Sequence, residues 1–527
     1  MLFLQRPLRA VFDLIESWLD KPFGPDWNPM YHLGALGFFY FWVVAVSGIY
    51  VYIFFDTGIS EAYDSVEYMT HDQWYLAGVM RSLHRYASDG MVAMMMLHMV
   101  REFSLDRHRG SRWFTWFTGV PILWLVVICG ITGYWLVWDS LAQYVATATT
   151  EWLDWLPIFG ESVARNFLSP ELLDDRFFTL MVFLHIAVPL ILLLVLWIHL
   201  QRVSKPEIFP ARGLAVGSFG MLLALSLAWP ALSQGPADLG KVPAAIGLDW
   251  FYLIAYPVVE IWGAGPAWAL AFGGSTFICI LPWLPRLQHK SIAQVDLANC
   301  NGCTRCQVDC PFAAITMNPR SDGRPFEREA VVDPELCTGC GLCAGACPTS
   351  TPFRRASALV PGIDLVDQPL RDLRQQIQDA TDNLSGERRV LMLGCAHGMR
   401  FGHPAIDGVA AVQLPCVGAL PPSFIDYVLS RNLADGVLLA GCNGGECYSR
   451  FGIRWTEERL AGERDPHLRS RVPRDRIGQL WTGARSAKQL GKELRAFQAR
   501  LPERPAKTEK SKAQPEASPE TPAEETV

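Results

Sequence analysis

Residues 81–101 read RSLHRYASDGMVAMMMLHMVR, and this stretch decides the fold. It places His84 and His98 fourteen residues apart in a helix-length run, and residues 178–200 repeat the spacing with His185 and His199. On an α-helix, fourteen residues make nearly four turns, so both rings of each helix fall on one side, about 21 Å apart along the axis. Two such helices packed side by side present two histidine pairs at two depths. Each pair can ligate one haem iron from both faces. A single intramembrane histidine is ordinary interhelical hydrogen-bonding glue. Four at matched spacing on two helices point to haem ligation instead.

The same period recurs in glycine. Gly34 and Gly48 are fourteen apart, as are Gly119 and Gly133. A residue without a side chain lets a bulky planar ligand approach the helix backbone. A span across about 30 Å of hydrocarbon needs about 20 apolar residues. Six runs qualify, at 33–54, 77–100, 115–138, 178–200, 213–232 and 266–284, while the shorter run 250–262 is expected at the interface. Twelve Lys and Arg, among them Arg101, Arg107, Arg109 and Arg112, fall on the side of the N-terminus, against three on the other side. Basic residues are retained in the cytoplasm, so both termini are expected there. No cleavable signal peptide is visible in residues 1–26.

Composition agrees once the chain is divided. Over 527 residues, 50% are hydrophobic and 19% charged, but residues 1–290 hold most of the long apolar runs. Twelve of the 14 cysteines lie after residue 299, at short regular spacings that suit metal clusters better than disulfides. A net charge of −6 leaves no electrostatic footprint for nucleic acid.

Residues 27–285 resemble the cytochrome b subunit of cytochrome bc complexes. The resemblance rests on Gly34 and Gly48, Arg81-Ser-Leu-His84, His98-Met-Val-Arg101, Trp116-Phe-Thr-Gly119, Gly133-Tyr134, and His185 with His199. It implies that His84 pairs with His185 on an outer b-type haem and His98 with His199 on an inner one. It also sets Arg81 and Arg101 against haem propionates, with snorkelling to the interface as the alternative for both. Asp249-Trp250-Phe251-Tyr252 is similar to the family's Pro-Glu-Trp-Tyr segment at the outer quinol-oxidation site. Here Leu248 stands for Pro and Asp249 for Glu, so Asp249 is the candidate quinol proton acceptor, or else a solvated loop residue.

Two runs follow, Cys300-x2-Cys303-x2-Cys306-x3-Cys310-Pro311 and Cys337-x2-Cys340-x2-Cys343-x3-Cys347-Pro348. This is the bacterial two-cluster ferredoxin pattern, in which the fourth cysteine of each run serves the other cluster. One [4Fe-4S] cluster is expected on Cys300, Cys303, Cys306 and Cys347, the other on Cys337, Cys340, Cys343 and Cys310. Zinc is the weaker rival.

Farther on, Val390–Leu393 and Gly436–Ala440 read as buried strands and 421–432 as a helix. Cys395 follows the first strand and Cys442 the later one, at ends where a parallel sheet gathers its ligands, and Cys416 and Cys447 complete a set of four. Residues 388–460 resemble the delta subunit of methyl-viologen-reducing hydrogenases through Cys416-x-Gly418, Pro422-x-Phe424-Ile425 and Gly441-Cys442-x2-Gly445-x-Cys447-Tyr448. That resemblance implies a [2Fe-2S] cluster on the four cysteines; buried inert thiols or a redox disulfide are the alternatives. Cys129 and Cys279 read as packing residues. No nicotinamide fingerprint, Walker loop or c-type haem motif appears.

The expected architecture is an all-α transmembrane haem-binding bundle of six spans over 1–290, a small α+β ferredoxin domain over 291–356, a linker helix within 357–386, an α/β iron–sulfur domain over 387–500, and a disordered tail over 501–527. The expected function is electron transfer in a prokaryotic cytoplasmic membrane, between a cytoplasmic hydrogenase- or heterodisulfide-reductase-like partner and quinone. Read in this way, electrons enter at the Cys395 site, pass through the two ferredoxin clusters, and reach the inner and then the outer haem. Two other readings stay open: a transmembrane relay that serves an outer cytochrome without its own quinone site, and a redox-sensing or docking subunit.

Overall fold

The computed structural model describes residues 2–158, 160–167, 173–243, 245–284, 291–353, 359–398, 406–481 and 487–502. The expected disordered tail, from residue 503 on, lies outside them, as do Arg286 and Lys290 of the charge count. The N-terminal half is helical: α1 Leu2–Trp27, α2 Leu33–Phe54, α3 Glu61–His71, α4 Val79–Ser104, α5 Trp113–Val137, α6 Ser140–Asp154, α7 Asp175–Gln201, α8 Arg212–Ala228, α9 Ala255–Trp262 and α10 Ala264–Ile280.

Among the described residues, four helical stretches are long and apolar enough to cross a membrane: Pro29–Phe54, Gly110–Val137, Phe178–Gln201 and Ala264–Trp283. Six were expected, and the two others differ for identifiable reasons. The run 77–100 is the unbroken 26-residue α4, but Arg81, Arg85, Asp89 and Arg101 lower its apolarity. The run 213–232 is the 17-residue α8, which ends at Ala228, before Pro230. Proline cannot continue a helix ladder.

Helix α4 packs on α2, and α7 on α5. Between them, Tyr40, Phe41, Leu83, Ala87, Val126 and Leu192 form one buried cluster. This core separates the levels of the two histidine pairs.

The second unit begins with β1 Ala293–Val295, α11 Arg305–Asp309, β2 Ile315–Pro319, β3 Arg328–Val332 and α12 Leu342–Ala346. Strand β4 Ile363–Leu365 pairs antiparallel with β1, Ala293 opposite Leu365. The ferredoxin segment therefore extends past the expected boundary at 356. Helix α13 Leu370–Asp382 falls where a linker helix was expected, but its Leu370, Leu373 and Ile377 pack into the core of the last unit, and Asp364 caps it by accepting from the Leu370 amide at 2.8 Å.

The last unit holds β5 Val390–Cys395, β6 Val409–Leu414, α14 Pro422–Ser430, β7 Gly436–Ala440, α15 Gly452–Ala461, β8 Ile477–Leu480 and α16 Ala487–Arg500. Its sheet is wholly parallel, in the order β6-β5-β7-β8. Strand β5 is buried throughout, as a strand covered on both faces must be. Val390 and Met392 face α16 with Phe497, while Leu391, Leu393 and Cys395 face the main core. That alternation decides which side Cys395 occupies.

Candidate functional site

Helices α4 and α7 bring His84 against His185, with ring centroids 6.3 Å apart and planes at 69°. This separation leaves room for a single metal atom between the rings. At the other level, His98 and His199 line one cavity of about 450 Å³.

Hydroxyls and a carbonyl orient three of the four rings. His84 Nδ1 lies 2.9 Å from the Val44 carbonyl oxygen, which can only accept, so Nδ1 carries the proton. Thr132 Oγ1 lies 3.1 Å from His185 Nδ1, and Thr118 Oγ1 lies 2.9 Å from His199 Nδ1. Each hydroxyl also donates within its own helix, to Ile128 or Cys129 and to Phe114 or Thr115. With those protons spent, Nδ1 donates and Nε2 keeps its lone pair for a metal. The pattern is legible in the sequence as Thr118-Gly119 and Thr132-Gly133, a hydroxyl one residue before the glycine.

The glycines lie against the histidines. A Cβ on Gly48 would come within 2.8 Å of His84 Cε1, one on Gly133 within 3.0 Å of His185 Cε1, and one on Gly34 within 3.4 Å of His98 Cε1. Gly119 has open space instead, within the lining of the large cavity. Three of the four glycines thus admit an imidazole, and the fourth borders the cavity. The donor set fits haem: two paired imidazoles with free Nε2 atoms at one level, and a roomy cavity between histidines at the other. Bound there, haem iron would supply one-electron redox chemistry.

Arg81 and Arg101 have protein partners. Arg81 donates to Thr70 and to Ser233 Oγ (2.8 Å) and lies 3.8 Å from Glu67. Arg101 is 5% exposed and sits between Glu16 at 2.9 Å and Glu446 at 3.3 Å. Asp249, expected either as a proton acceptor or as a solvated loop residue, is neither free nor loose. One oxygen accepts from Arg85 and from Tyr134 (2.7 Å), and the other from the Phe251 and Tyr252 amides at 2.8 and 3.0 Å.

In the ferredoxin segment, Cys300, Cys306, Cys310, Cys337, Cys343 and Cys347 meet in one core cluster. Burial pushes the Cys306 thiol up to about 12, reinforced by Cys303, Cys347 and Cys300 around it. Cys343 is pushed well above the ordinary thiol range by burial and by Cys340, Cys310 and Cys337. Each neighbourhood includes the fourth cysteine of the other run, Cys347 beside Cys306 and Cys310 beside Cys343.

Cys395 closes β5, while Cys416 and Cys442 each follow β6 and β7 by two residues, at one edge of the sheet. Cys395 and Cys442 sulfurs are 3.8 Å apart. Hydrogen bonds from Cys416 and Cys442 hold the Cys447 thiol well below its ordinary value, and Cys442 itself is pushed up to about 12. Four cysteines from three strand ends and a loop therefore share one buried site. Among the described residues, no group of three or more His, Cys, Asp or Glu is spaced for a single metal ion.

Three family models match in succession: cytochrome b/b6/petB over residues 18–206, a 4Fe-4S dicluster domain over 299–351, and the methyl-viologen-reducing hydrogenase delta subunit over 396–503. Among curated proteins, cytochrome b6 of Porphyra purpurea is 33% identical over 158 residues, 30% of this chain and 72% of that protein. Cytochrome b6 of Pyropia yezoensis is 32% identical over the same shares. Cytochrome b6 of Gracilaria tenuistipitata var. liui is 29% identical over 38% of this chain and 92% of its own length. A chain of a hyperthermophilic respiratory complex III superposes with a TM-score of 0.40 at 19% identity, over 49% of this chain and 76% of that one, too loosely to carry an argument. The cytochrome b match implies haem, and the dicluster match implies 4Fe-4S clusters, in a membrane protein of electron transport. The chain belongs to the cytochrome b/b6 family, and a 4Fe-4S dicluster domain and a hydrogenase delta-subunit-like domain follow its cytochrome b region in that order.

Proposed function

We propose that the chain is the membrane electron-transfer subunit of a larger complex, linking a cytoplasmic redox partner to the quinone pool of a prokaryotic cytoplasmic membrane. Two b-type haems bind at His84 with His185 and at His98 with His199. Two [4Fe-4S] clusters occupy the ferredoxin cysteines in the crossed arrangement, and a [2Fe-2S] cluster takes Cys395, Cys416, Cys442 and Cys447. The observation that carries this reading is the cavity shared by His98, His199 and Cys447, which joins a membrane histidine pair to the four-cysteine site within one chain. Ferredoxin-type clusters sit near −400 mV in many proteins, so the downhill direction is toward quinone.

Six spans fit this reading. Charges within a membrane helix pair with one another, and those of α4 do: Arg85 with Asp89 and Asp249, Arg81 with Glu67, and Arg101 with Glu16. Arg101, Arg107 and the soluble domains then share the cytoplasmic side.

One observation favours the relay without its own quinone site. Both oxygens of Asp249 are already engaged, so it can take a quinol proton only after Arg85 lets go. Haem and iron analysis of the purified full chain, together with accessibility labelling of its termini, tests the main reading. Two haems, three clusters and two cytoplasmic termini support it. One haem, or termini on opposite sides, contradicts it.

A further inference from the structure

Chain order and spatial order differ in this protein. By chain order, the ferredoxin clusters adjoin the membrane domain and the delta-like site lies beyond them. In space, the cavity of His98 and His199 is bordered by Gly445, Glu446 and Cys447. Among the described residues, the ferredoxin segment contributes only Phe312 and Leu336, neither of them a cysteine.

The loop that follows β7 is clasped to the membrane domain. Glu446 is 9% exposed, with its carboxylate 3.3 Å from Arg101, 3.7 Å from Arg107 and 4.0 Å from Arg9. Arg107 donates to the Cys447 carbonyl at 3.3 Å, and Arg112 to the Tyr448 carbonyl at 3.0 Å. Asn443 donates to the Tyr31 hydroxyl. Gly445 lies so close to the C-terminal end of α1 that a Cβ there would come within 2.7 Å of the Pro25 carbonyl oxygen. Close backbone approach of this kind is open to glycine alone.

The ferredoxin segment meets the other side of the same site. Cys416 packs in one cluster with Leu342, Phe451 and Trp455, and Cys340 lies against it. Trp455 donates to the Asp309 carbonyl at 3.1 Å, one residue from Cys310. Arg459 pairs with the Asp309 carboxylate at 2.5 Å, almost fully buried. In the remaining set, that of Cys300, Cys303, Cys306 and Cys347, Cys303 is exposed.

We infer that the four-cysteine site of Cys395, Cys416, Cys442 and Cys447, rather than either ferredoxin set, is the immediate electron-exchange neighbour of the His98–His199 pair. Glu446, held by Arg101 and Arg107, positions it there. The set around Cys303 is then the surface port, and the set around Cys340 lies between. This order deepens the proposed function and rests on its cofactor assignment. One electron crosses the junction at a time; no bond forms or breaks, and the electron comes from a low-potential one-electron donor at the port.

The test uses the full chain in lipid nanodiscs, with a reduced bacterial ferredoxin as donor. Haem reduction is followed by stopped-flow, and the iron–sulfur signals by EPR of freeze-quenched samples. In Cys416→Ser, both ferredoxin sets are expected to fill and become reduced while haem reduction slows by an order of magnitude or more. In Glu446→Gln, all signals are expected to remain, with slower haem reduction and a shifted ferric EPR line for the inner haem alone. Haem reduction at the wild-type rate in Cys416→Ser, with the third cluster absent, overturns the inference and leaves the proposed function standing. A wild-type chain that lacks the third cluster or the inner haem overturns both.

Discussion

Thr118 Oγ1 stands 2.9 Å from His199 Nδ1, and the same hydroxyl reaches the Phe114 and Thr115 carbonyls at 3.0 Å each. The helix backbone thus fixes the imidazole tautomer through one side chain. Groups that orient a metal-binding histidine in this way typically change metal affinity 10–100-fold when removed. Thr118→Val keeps the shape and loses the acceptor. It is expected to shift the midpoint potential of the inner haem and weaken its retention, while the outer haem is unchanged. A redox titration followed optically reads both. Equal effects on the two haems would contradict the assignment.

Removing a histidine should remove one haem and spare the other. His84→Ala and His185→Ala each empty the outer site; His98→Ala and His199→Ala each empty the inner one. Haem analysis of each purified variant is expected to fall from two per chain to one. The two members of a pair are expected to give the same surviving spectrum. Survivors that differ within a pair would overturn the pairing.

Gly445→Val places a branched side chain where the loop meets Tyr31 and Pro25. Overpacking of this kind costs about 1–3 kcal/mol, and here it falls on the docking of a whole domain. Limited proteolysis is expected to cut more rapidly between the membrane domain and the soluble segment. The visible haem spectrum is expected to persist. Unchanged proteolysis would mean that the loop does not hold the domain.

Asp364 sets a pH dependence for the soluble segment. Burial raises its carboxyl from 3.8 to about 6, against the opposing hydrogen bonds from the Leu370 and Leu365 amides. A carboxyl raised on folding favours the folded state at low pH, and this contribution is lost as pH rises through 6. Asp364→Asn is therefore expected to stabilise the chain by on the order of 1–3 kcal/mol above pH 6. The gain should shrink as pH falls toward 4. Thermal melts across that range check it, and a gain independent of pH would contradict the cause.

Much of this arrangement was legible in the sequence where a short period carries it. Fourteen-residue spacing singled out the histidines that α4 and α7 carry to two levels, and the cysteine runs singled out residues that gather in one core cluster. Strand β4 escaped notice because three residues, Ile363 to Leu365, show no usable period and gain meaning only beside β1. The clasp on Glu446 left no local signal either. Its arginines lie more than 300 residues away, and nothing in a helix or strand pattern brings them to one carboxylate. Asp249 was readable as a carboxylate in a family-like segment, but its partner Arg85, on α4, became apparent only in the fold.

The central claim is that one chain connects cytoplasmic iron–sulfur sites to quinone through two haems. The most direct measurement reduces the full chain in nanodiscs with a reduced bacterial ferredoxin, then mixes it with a menaquinone analogue while haem absorbance is recorded. The account predicts that both haems become reduced by the donor and are then reoxidised by the quinone. Haems that are reduced but never reoxidised by quinone would contradict it and leave the relay to an outer cytochrome as the reading.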